Sequence, residues 1–239
     1  MVYVTGDFHG DYERFNEKNI KKLKKGDYLI ILGDFGFVWD GSKKEADLLK
    51  KIGKKKFHTL FLDGAYENHL LLSKYEDVEF MGGSAKNICG NLYMLCRGEI
   101  YDICNKKFFA IGGTENTDSE ADVSNTYDFS RADAEKAMAN IINENGVVDY
   151  IITHDAPSSV LEFLSLTEAS SSLITKLLQK VSETVKYSKW FFGKYHIDKY
   201  VSRNMQGAYL GVYALEDTYV PKRKKKEKKK NDVNEERNI

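Results

Sequence analysis

A carboxylate and an imidazole follow the first apolar segment of the chain. Residues 2–4 are apolar and β-branched or aromatic, and Gly6-Asp7-Phe8-His9-Gly10 comes directly after them. Side chains two positions apart in an extended segment point to the same side, so Asp7 and His9 can converge. Such a pair provides the ligand types that borderline divalent metals prefer. A single pair is weak evidence, and it becomes strong only where other strand ends add ligands.

Four further apolar segments also end in polar residues. Their lengths are typical of buried β-strands. The segments are residues 29–32, followed by Asp34; 57–62, followed by Asp63; 147–153, followed by His154; and 190–192, followed shortly by His196. Three of the five histidines therefore fall at strand ends. Strands that each lead into a polar loop predict an α/β protein with its site at the strand ends.

Four motifs of the chain resemble those of the calcineurin-like metallophosphoesterases and occur in that family's order. They are Gly6-Asp7-Phe8-His9-Gly10, Gly33-Asp34-Phe35-Gly36, Thr153-His154-Asp155-Ala156-Pro157 and Gly193-Lys194-Tyr195-His196. The resemblance covers about residues 1–213. It implies a four-layer α-β-β-α sandwich, in which two mixed β-sheets are flanked by helices. It also implies a two-metal site that hydrolyses phosphomonoesters or phosphodiesters by means of a metal-activated hydroxide.

The resemblance assigns metal ligands to individual residues. Asp7, His9, Asp34 and His196 would hold the first metal, and Asp34 would bridge to the second. His154 would be a ligand of the second metal. The implied cofactor is a divalent ion, namely manganese, iron, zinc or magnesium.

The chain departs from the family pattern at three positions, two of which are ligand positions of the second metal. The Gly-Asn-His-Glu motif falls on Gly64-Ala65-Tyr66-Glu67, so Ala65 replaces an asparagine ligand and Tyr66 replaces the catalytic histidine. Lys194 replaces a histidine ligand. Its ammonium would repel a second dication, or would substitute for part of that ion's charge. Since a phenol donates protons less readily than an imidazole at neutral pH, we expect low or specialised activity.

Two further residues are candidates for a role in the site. His69 follows Tyr66 by about one helical turn, and it is either a substitute ligand or acid, or a surface or capping histidine. Arg97 precedes a predicted hairpin and has a guanidinium that suits phosphate oxygens. A surface ion pair is an equally good interpretation of Arg97. The long polar loop 114–130, which contains Tyr127 and Phe129, is typical of a lid or an interaction surface.

Three functions are compatible with these features. The first is a metal-dependent phosphoesterase that acts on a phosphorylated small molecule or nucleotide. The second is a pseudoenzyme, an inactive phosphoesterase fold that binds a metal-bound phosphate or nucleotide. Ala65, Tyr66 and Lys194 together favour the second function. The third is a nucleic-acid-binding protein recruited by the basic residues near the end of the chain.

Composition and charge divide the chain into two parts. Residues 1–220 are predicted to form the phosphoesterase domain, since 42% of the 239 residues are hydrophobic, as in globular proteins. Residues 221–239 contain nine basic and four acidic residues and are predicted to be a disordered tail. The segment from Lys222 to Lys230 would bind nucleic acid or anionic lipid, or would act only as a solubilising tail.

Composition also bears on the cellular location. No apolar run approaches the ~20 residues of a membrane-spanning helix. Three cysteines without metal-ligand spacing, and an amino terminus that reads as a strand without a signal peptide, predict a cytoplasmic protein.

Hydrophobic periodicity and capping residues predict the remaining elements. Ser42 is expected to cap a helix with Glu45 completing a capping box, and Ser130 is expected to cap another. The predicted helices are residues 11–25, 42–53, 67–74, 131–145, 161–166 and 172–187, and the predicted hairpin joins 99–103 to 108–111. The predicted closing strands are 198–201 and 208–213, joined by a turn at 204–207.

Overall fold

Thirteen strands form two β-sheets in the computed structural model, which describes residues 1–115, 128–166 and 171–218. The first sheet has, in spatial order, β13 (Tyr213–Leu215), β1 (Val2–Thr5), β2 (Tyr28–Ile31), β3 (His58–Phe61), β6 (Leu92–Leu95), β5 (Gly83–Cys89) and β4 (Asp77–Phe80). The second has β11 (Lys199–Tyr200), β12 (Met205–Gly207), β10 (Lys189–Phe192), β9 (Tyr150–Thr153), β8 (Lys106–Ile111) and β7 (Glu99–Ile103).

Both sheets are mixed. In the first sheet β1, β2, β3 and β6 run parallel, with antiparallel neighbours at both edges. In the second sheet β8, β9, β10 and β12 run parallel, and β7 and β11 are antiparallel edge strands. The two parallel blocks place many strand ends at the same edge, which is where loops can converge on a site.

Alternating side chains divide the interior into three apolar layers. Ile30 on β2 and Phe191 on β10 belong to one core between the two sheets. Their neighbours Leu29 and Ile31 pack on the outer side of the first sheet, and Trp190 packs on the outer side of the second. Since successive residues of a strand face opposite sides, each central strand is buried on both faces.

Helices cover the outer face of each sheet. The first sheet carries α1 (Lys18–Lys21), α2 (Lys43–Gly53) and α3 (His69–Leu72), and the second carries α4 (Arg131–Asn143), α5 (Ser158–Phe163) and α6 (Leu173–Thr184). Two short 3-10 helices are Tyr12–Asn16 and Glu216–Thr218. This arrangement confirms the predicted four-layer α-β-β-α sandwich. Among the residues that the structure describes, no helix is both long and apolar enough to cross a membrane.

The helix caps agree with the sequence in part. Ser130 and Asp133 form a complete reciprocal capping box at the start of α4. Ser42 Oγ accepts a hydrogen bond from the Glu45 amide at 3.1 Å, as predicted. The Glu45 carboxylate does not complete that box, because it accepts hydrogen bonds from the amides of Trp39, Asp40 and Gly41 instead.

The prediction of one continuous helix over residues 11–25 is wrong. A 3-10 helix and the short α1 replace it, and they are separated at Glu17, whose φ of −58° and ψ of 144° are not helical. The buried Arg14 donates to the carbonyl oxygens of Asp7 and Tyr209, at 2.5 and 3.0 Å. These contacts hold the segment against the loop after β1 and against Tyr209, and it does not continue as one helix.

The predicted closing strands, joined by a turn at 204–207, are also wrong in part. Residues 204–207 do not form a turn, since Met205–Gly207 is the buried strand β12, parallel to β10. Residues 208–212 form a loop in place of a strand. This loop is held by Asp198, whose carboxylate accepts hydrogen bonds from the amides of Tyr209, Leu210 and Gly211.

Two predicted features lie outside the described residues. Residues 219–239 include the basic segment from Lys222 to Lys230, and residues 116–127 include Tyr127 and most of the polar loop. Both expectations remain predictions from the sequence.

Candidate metal centre

Strand ends from both sheets meet at one edge of the sandwich. Asp7 and Asp34 follow β1 and β2 of the first sheet, and His154 follows β9 of the second. His154 lies between the two carboxylates, with Nδ1 3.8 Å from Asp7 Oδ1 and Nε2 3.5 Å from Asp34 Oδ1. His196, after β10, is also part of this group. The five residues that the sequence selected as ligands are therefore neighbours.

Asp7, His9 and His196 present three ligand atoms to one point. The Nε2 atoms of His9 and His196 are 3.0 Å apart. Asp7 Oδ2 lies 3.2 Å from the nitrogen of His196 and 4.0 Å from that of His9. One donor atom from each residue falls within 4.8 Å of the others. The Asp7 carboxylate raises the pKa of His196, whereas partial burial acts in the opposite direction.

The triad fits a divalent metal ion. Asp7 Oδ2 is buried and accepts no hydrogen bond of acceptable geometry from the described part of the chain, although His196 Nε2 lies only 3.2 Å away. A buried acceptor without a partner is unfavourable, and a cation at this point would relieve that cost. Nitrogen and oxygen ligands bind zinc-like ions at about 2.0–2.2 Å, which places neighbouring donors roughly 3 Å apart. The spacing of the two imidazole nitrogens agrees with this geometry.

Asp34 and His154 are held in defined orientations. Asp34 Oδ1 accepts hydrogen bonds from the amides of Ala65 and Tyr66, at 2.7 and 3.1 Å. His154 Nδ1 is 2.8 Å from the carbonyl oxygen of Leu32. A carbonyl oxygen can only accept, so Nδ1 carries the proton and Nε2 keeps its lone pair toward Asp34. Fixing a ring in this way is typical of histidines that bind metals.

Ala65 and Tyr66 occupy the loop that faces Asp34. The Ala65 side chain has no donor atom, so this residue contributes only its backbone amide. The Tyr66 ring is 53% exposed and meets the His9 ring edge-on, with centroids 4.7 Å apart. Tyr66 therefore stands at the entrance to the triad.

Lys194 is paired with a buried carboxylate beside His154. Its Nζ donates to Asp155 Oδ2 at 2.6 Å and to Thr114 Oγ1 at 2.8 Å. The Tyr195 hydroxyl donates to the other oxygen of Asp155. Burial, and then the Asp155 charge, raise the pKa of Tyr195. The positive charge of Lys194 is thus fixed by Asp155 next to a predicted ligand of the second metal.

Arg97 and His69 both lie against Asp63. Arg97 donates to Asp63 Oδ2 from Nε and Nη2, at 2.8 and 2.6 Å, and also contacts Asp133. His69 Nε2 is 3.7 Å from the same Asp63 oxygen. Burial alone would raise the pKa of Asp63, but Arg97 and His69 outweigh it and lower that pKa. Arg97 therefore forms a buried ion pair with Asp63, and His69 lies next to that pair.

Glu67 supports the site and was not singled out from the sequence. It is fully buried and accepts hydrogen bonds from the amides of Gly36 and Gly64, at 3.1 and 2.6 Å. Burial, and then the nearby Asp34 charge, raise its pKa well above the usual range. Glu67 therefore ties together the loops that follow β2 and β3. Its place at the end of Gly64-Ala65-Tyr66-Glu67 was the available signal.

Four residues of the site have left-handed backbone conformations. Their φ angles are 49° at His9, 44° at Asp34, 53° at Lys194 and 50° at His196. Non-glycine residues adopt this region uncommonly, and such residues concentrate at functional sites. The surrounding fold therefore maintains locally unfavourable backbone at the positions that aim the predicted ligands.

Comparisons with known proteins were made for the whole chain. A family model described as calcineurin-like phosphoesterase matches residues 1–204. One similar solved structure is a Staphylococcus aureus protein provisionally described as a 5′-nucleotidase, in complex with α-ketoglutarate. It is 13% identical, with a TM-score of 0.47, over 88% of this chain and 49% of that one. The chain thus spans about half the length of that structure. No curated protein matches the chain.

Proposed function

The chain belongs to the calcineurin-like phosphoesterase family, and on that premise we propose that it is a metal-dependent phosphoesterase. The family and its fold are those of phosphoesterase hydrolases. The observation that carries the proposal is the convergence of Asp7, His9 and His196 around a buried carboxylate oxygen without a hydrogen-bond partner among the described residues. The proposed substrates are phosphomonoesters or phosphodiesters of small molecules, including nucleotides.

The ligand set supports a transition metal as cofactor. Asp7, His9, His196 and Asp34 would hold the ion, and His154 lies between the carboxylates of Asp7 and Asp34. A bound divalent ion would supply Lewis-acid activation of a phosphoryl oxygen and of water. Mixed imidazole and carboxylate ligands suit manganese, iron or zinc, and magnesium suits the set less well because it prefers oxygen.

The chain's own residues determine how that ion would be held. Arg14 fixes the Asp7 backbone through the carbonyl oxygen of that residue. Two amides fix Asp34 Oδ1, and the Leu32 carbonyl fixes the His154 ring. These contacts orient the ligands before an ion arrives, which reduces the cost of reorganisation.

A degenerate second metal site is part of the proposal. Ala65 offers no side-chain ligand, and Lys194 introduces an ammonium group. We expect one tightly bound ion per chain and low or specialised activity. Lys194 would supply a fixed positive charge near the substrate phosphate, reduced by its pairing with Asp155.

An inactive binding module is the second candidate function. The pairing of Lys194 with buried Asp155, beside His154, favours it, because that pair fills the neighbourhood of the second site with a salt bridge. In this case the triad would still hold an ion and a phosphate or nucleotide ligand, without turnover.

Hydrolysis of bis-(p-nitrophenyl) phosphate by manganese-loaded protein separates the two functions. His196→Ala removes one member of the triad. His58→Ala is the matched control, because His58 begins β3 and stacks on Tyr28, with centroids 4.8 Å apart. The enzyme proposal predicts turnover that His196→Ala abolishes and His58→Ala retains. Absence of turnover would contradict it and leave the binding module, and turnover unaffected by His196→Ala would show that the activity does not come from this site.

A further inference from the structure

Tyr66 places an exposed aromatic ring directly beside the triad. More than half of the residue is exposed, and the edge contact with His9 puts its ring next to one of the ligand side chains. Single exposed apolar residues are common on protein surfaces. Tyr66 differs from these because of its position at the triad and because its backbone is fixed there.

The segment that carries Tyr66 is held on both sides. The Tyr66 amide donates to Asp34 Oδ1 at 3.1 Å. Two residues later, Asn68 donates from its amide to the Val38 carbonyl at 2.9 Å and from Nδ2 to the Trp39 carbonyl at 2.8 Å. Trp39 is itself 39% exposed. Two exposed aromatic residues thus lie on segments that are hydrogen-bonded to each other at the edge of the site.

An exposed ring beside the ligands of the proposed ion is suited to stacking. Aromatic rings and nucleobases stack on tyrosine with little regard to their substituents, because each has a π face. The backbone that carries Tyr66 is hydrogen-bonded to Asp34, so little of this segment has to be ordered when a ligand binds. The Tyr66 ring contacts His9, so it is an aromatic surface next to the place where a phosphate on the ion would bind.

We propose that the Tyr66 ring binds the aromatic part of a ligand whose phosphate is bound by the ion that Asp7, His9 and His196 would hold. The ligands of this class are aryl phosphoesters and nucleotides. The inference rests on the proposed function only for the binding of phosphate, and it does not require turnover. It also differs from proton donation by Tyr66, since stacking needs the ring and proton transfer needs the hydroxyl.

Two phosphonates test this inference, because their P–C bond is not hydrolysed by a phosphoesterase. Phenylphosphonate and ethylphosphonate would be titrated calorimetrically into manganese-loaded full-length protein, and the ratio of their dissociation constants recorded. The variants are Tyr66→Phe, Tyr66→Ala and, as a control, Tyr200→Ala. Tyr200 is a tyrosine of similar exposure, 58%, on the edge strand β11.

We expect wild type, Tyr66→Phe and Tyr200→Ala to share one preference for phenylphosphonate. Tyr66→Ala should reduce that preference by roughly 5- to 150-fold, the range expected for loss of one stacking partner. Adenosine 5′-monophosphate should also displace phenylphosphonate more strongly than ribose 5-phosphate does, because stacking tolerates different rings, and equal competition by the two would count against stacking on Tyr66.

Three results would overturn the inference. They are an unchanged preference in Tyr66→Ala, a lost preference in Tyr66→Phe, and failure of both phosphonates to bind. A Tyr66-dependent preference without hydrolysis of any phosphoester would sustain the inference while the proposed enzymatic function fails. Hydrolysis of a phosphoester without a Tyr66-dependent preference would support the proposed enzymatic function and overturn the stacking inference.

Discussion

At the level of single residues, the site is organised around one carboxylate. Asp7 Oδ2 is buried, has no hydrogen-bond partner among the described residues, and faces two imidazole nitrogens. The desolvation of such an oxygen costs about 1–3 kcal/mol unless a partner compensates. A dication would provide that compensation, so we interpret the arrangement as a site prepared for metal and not as a structural hydrogen-bond network.

Asp63 gives a prediction about stability and its dependence on pH. Asp63→Asn leaves Arg97 without its buried carboxylate, and removing one partner of such a pair costs ~3–5 kcal/mol. Because the pKa of Asp63 is lowered in the folded state, its contribution is present above the unfolded-state pKa of ~3.9. It is lost as the pH falls through the folded-state value.

Urea unfolding of wild type and Asp63→Asn between pH 7 and about 3 measures this contribution. The difference in the free energy of unfolding should be largest at pH 7 and should shrink at the acid end. Asp102→Asn makes the same chemical change at an exposed carboxylate and should alter stability by less than ~0.5 kcal/mol. A difference that stays constant across the series would contradict the ion-pair explanation.

The second metal site gives another prediction at this scale. Combining Ala65→Asn with Lys194→His restores two ligand types and removes the ammonium group beside His154. We expect the number of bound manganese ions per chain to rise from one to two, measured by elemental analysis after loading and desalting. Lys194→Met removes the charge without adding a ligand and serves as the control. If the double variant still bound a single ion, the departures at Ala65 and Lys194 would not explain the stoichiometry.

At the level of elements, strand ends and glycines position the ligands. Gly33 follows β2 with a φ of +112°, and a Cβ there would lie 2.1 Å from His154 Nδ1. Gly26 has a φ of +85°, and a Cβ would meet nothing within 4 Å. Alanine is strained at both positions, by about 1–2 kcal/mol, but only at Gly33 does it also collide with the predicted ligand.

Displacement of the His154 ring would disturb Asp7 and Asp34, which lie 3.8 and 3.5 Å from its nitrogens. Gly33→Ala should therefore weaken manganese binding, and Gly26→Ala should not. Both variants should be less stable than wild type in urea unfolding, with the larger loss for Gly33→Ala. Calorimetric titration of chelator-treated protein with manganese provides the comparison. Equal manganese affinities in the two variants would show that the contact between Gly33 and His154 does not position the ligand.

Some elements were predictable from the sequence and others were not. Strands such as β2 and β10 stand out because they are short apolar runs followed by glycine and a polar residue. The strand β12 was missed because Met205-Gln206-Gly207 carries turn-like residues, and only burial against β10 makes it extended. The loop after β12 was missed because its conformation depends on hydrogen bonds to Asp198, which lies at a distance in the sequence.

The site residues also divide into some that the sequence predicts and others that it does not. Positions after strand ends selected Asp7, His9, Asp34, His154 and His196, and the structure places all five together. Glu67 ends the Gly64-Ala65-Tyr66-Glu67 motif and Asp63 follows a predicted strand. Their buried contacts with loop amides and with Arg97 have no local sequence pattern, so those contacts could not be predicted. Sequence predicts which strand ends carry ligands, whereas the residues that hold those ends depend on tertiary packing.

For the whole molecule, the sandwich explains why the ligands meet. Two parallel blocks of strands, one in each sheet, end at the same edge, and His154 bridges the gap between them. The core between the sheets fixes their relative position, and with it the positions of the ligand-bearing strand ends. We therefore expect the ion to add stability to a fold that already exists.

Manganese titration of chelator-treated wild type and His196→Ala tests the central claim most directly, with His58→Ala as the control. We expect one tight ion per chain in wild type and in the control, and at least a tenfold loss of affinity in His196→Ala, about 1.4 kcal/mol. Loss of a ligand should leave the fold intact, as checked by the urea midpoint of the metal-free proteins. Equal manganese affinity in wild type and His196→Ala, or no binding by wild type, would contradict the assignment of Asp7, His9 and His196 as a metal site.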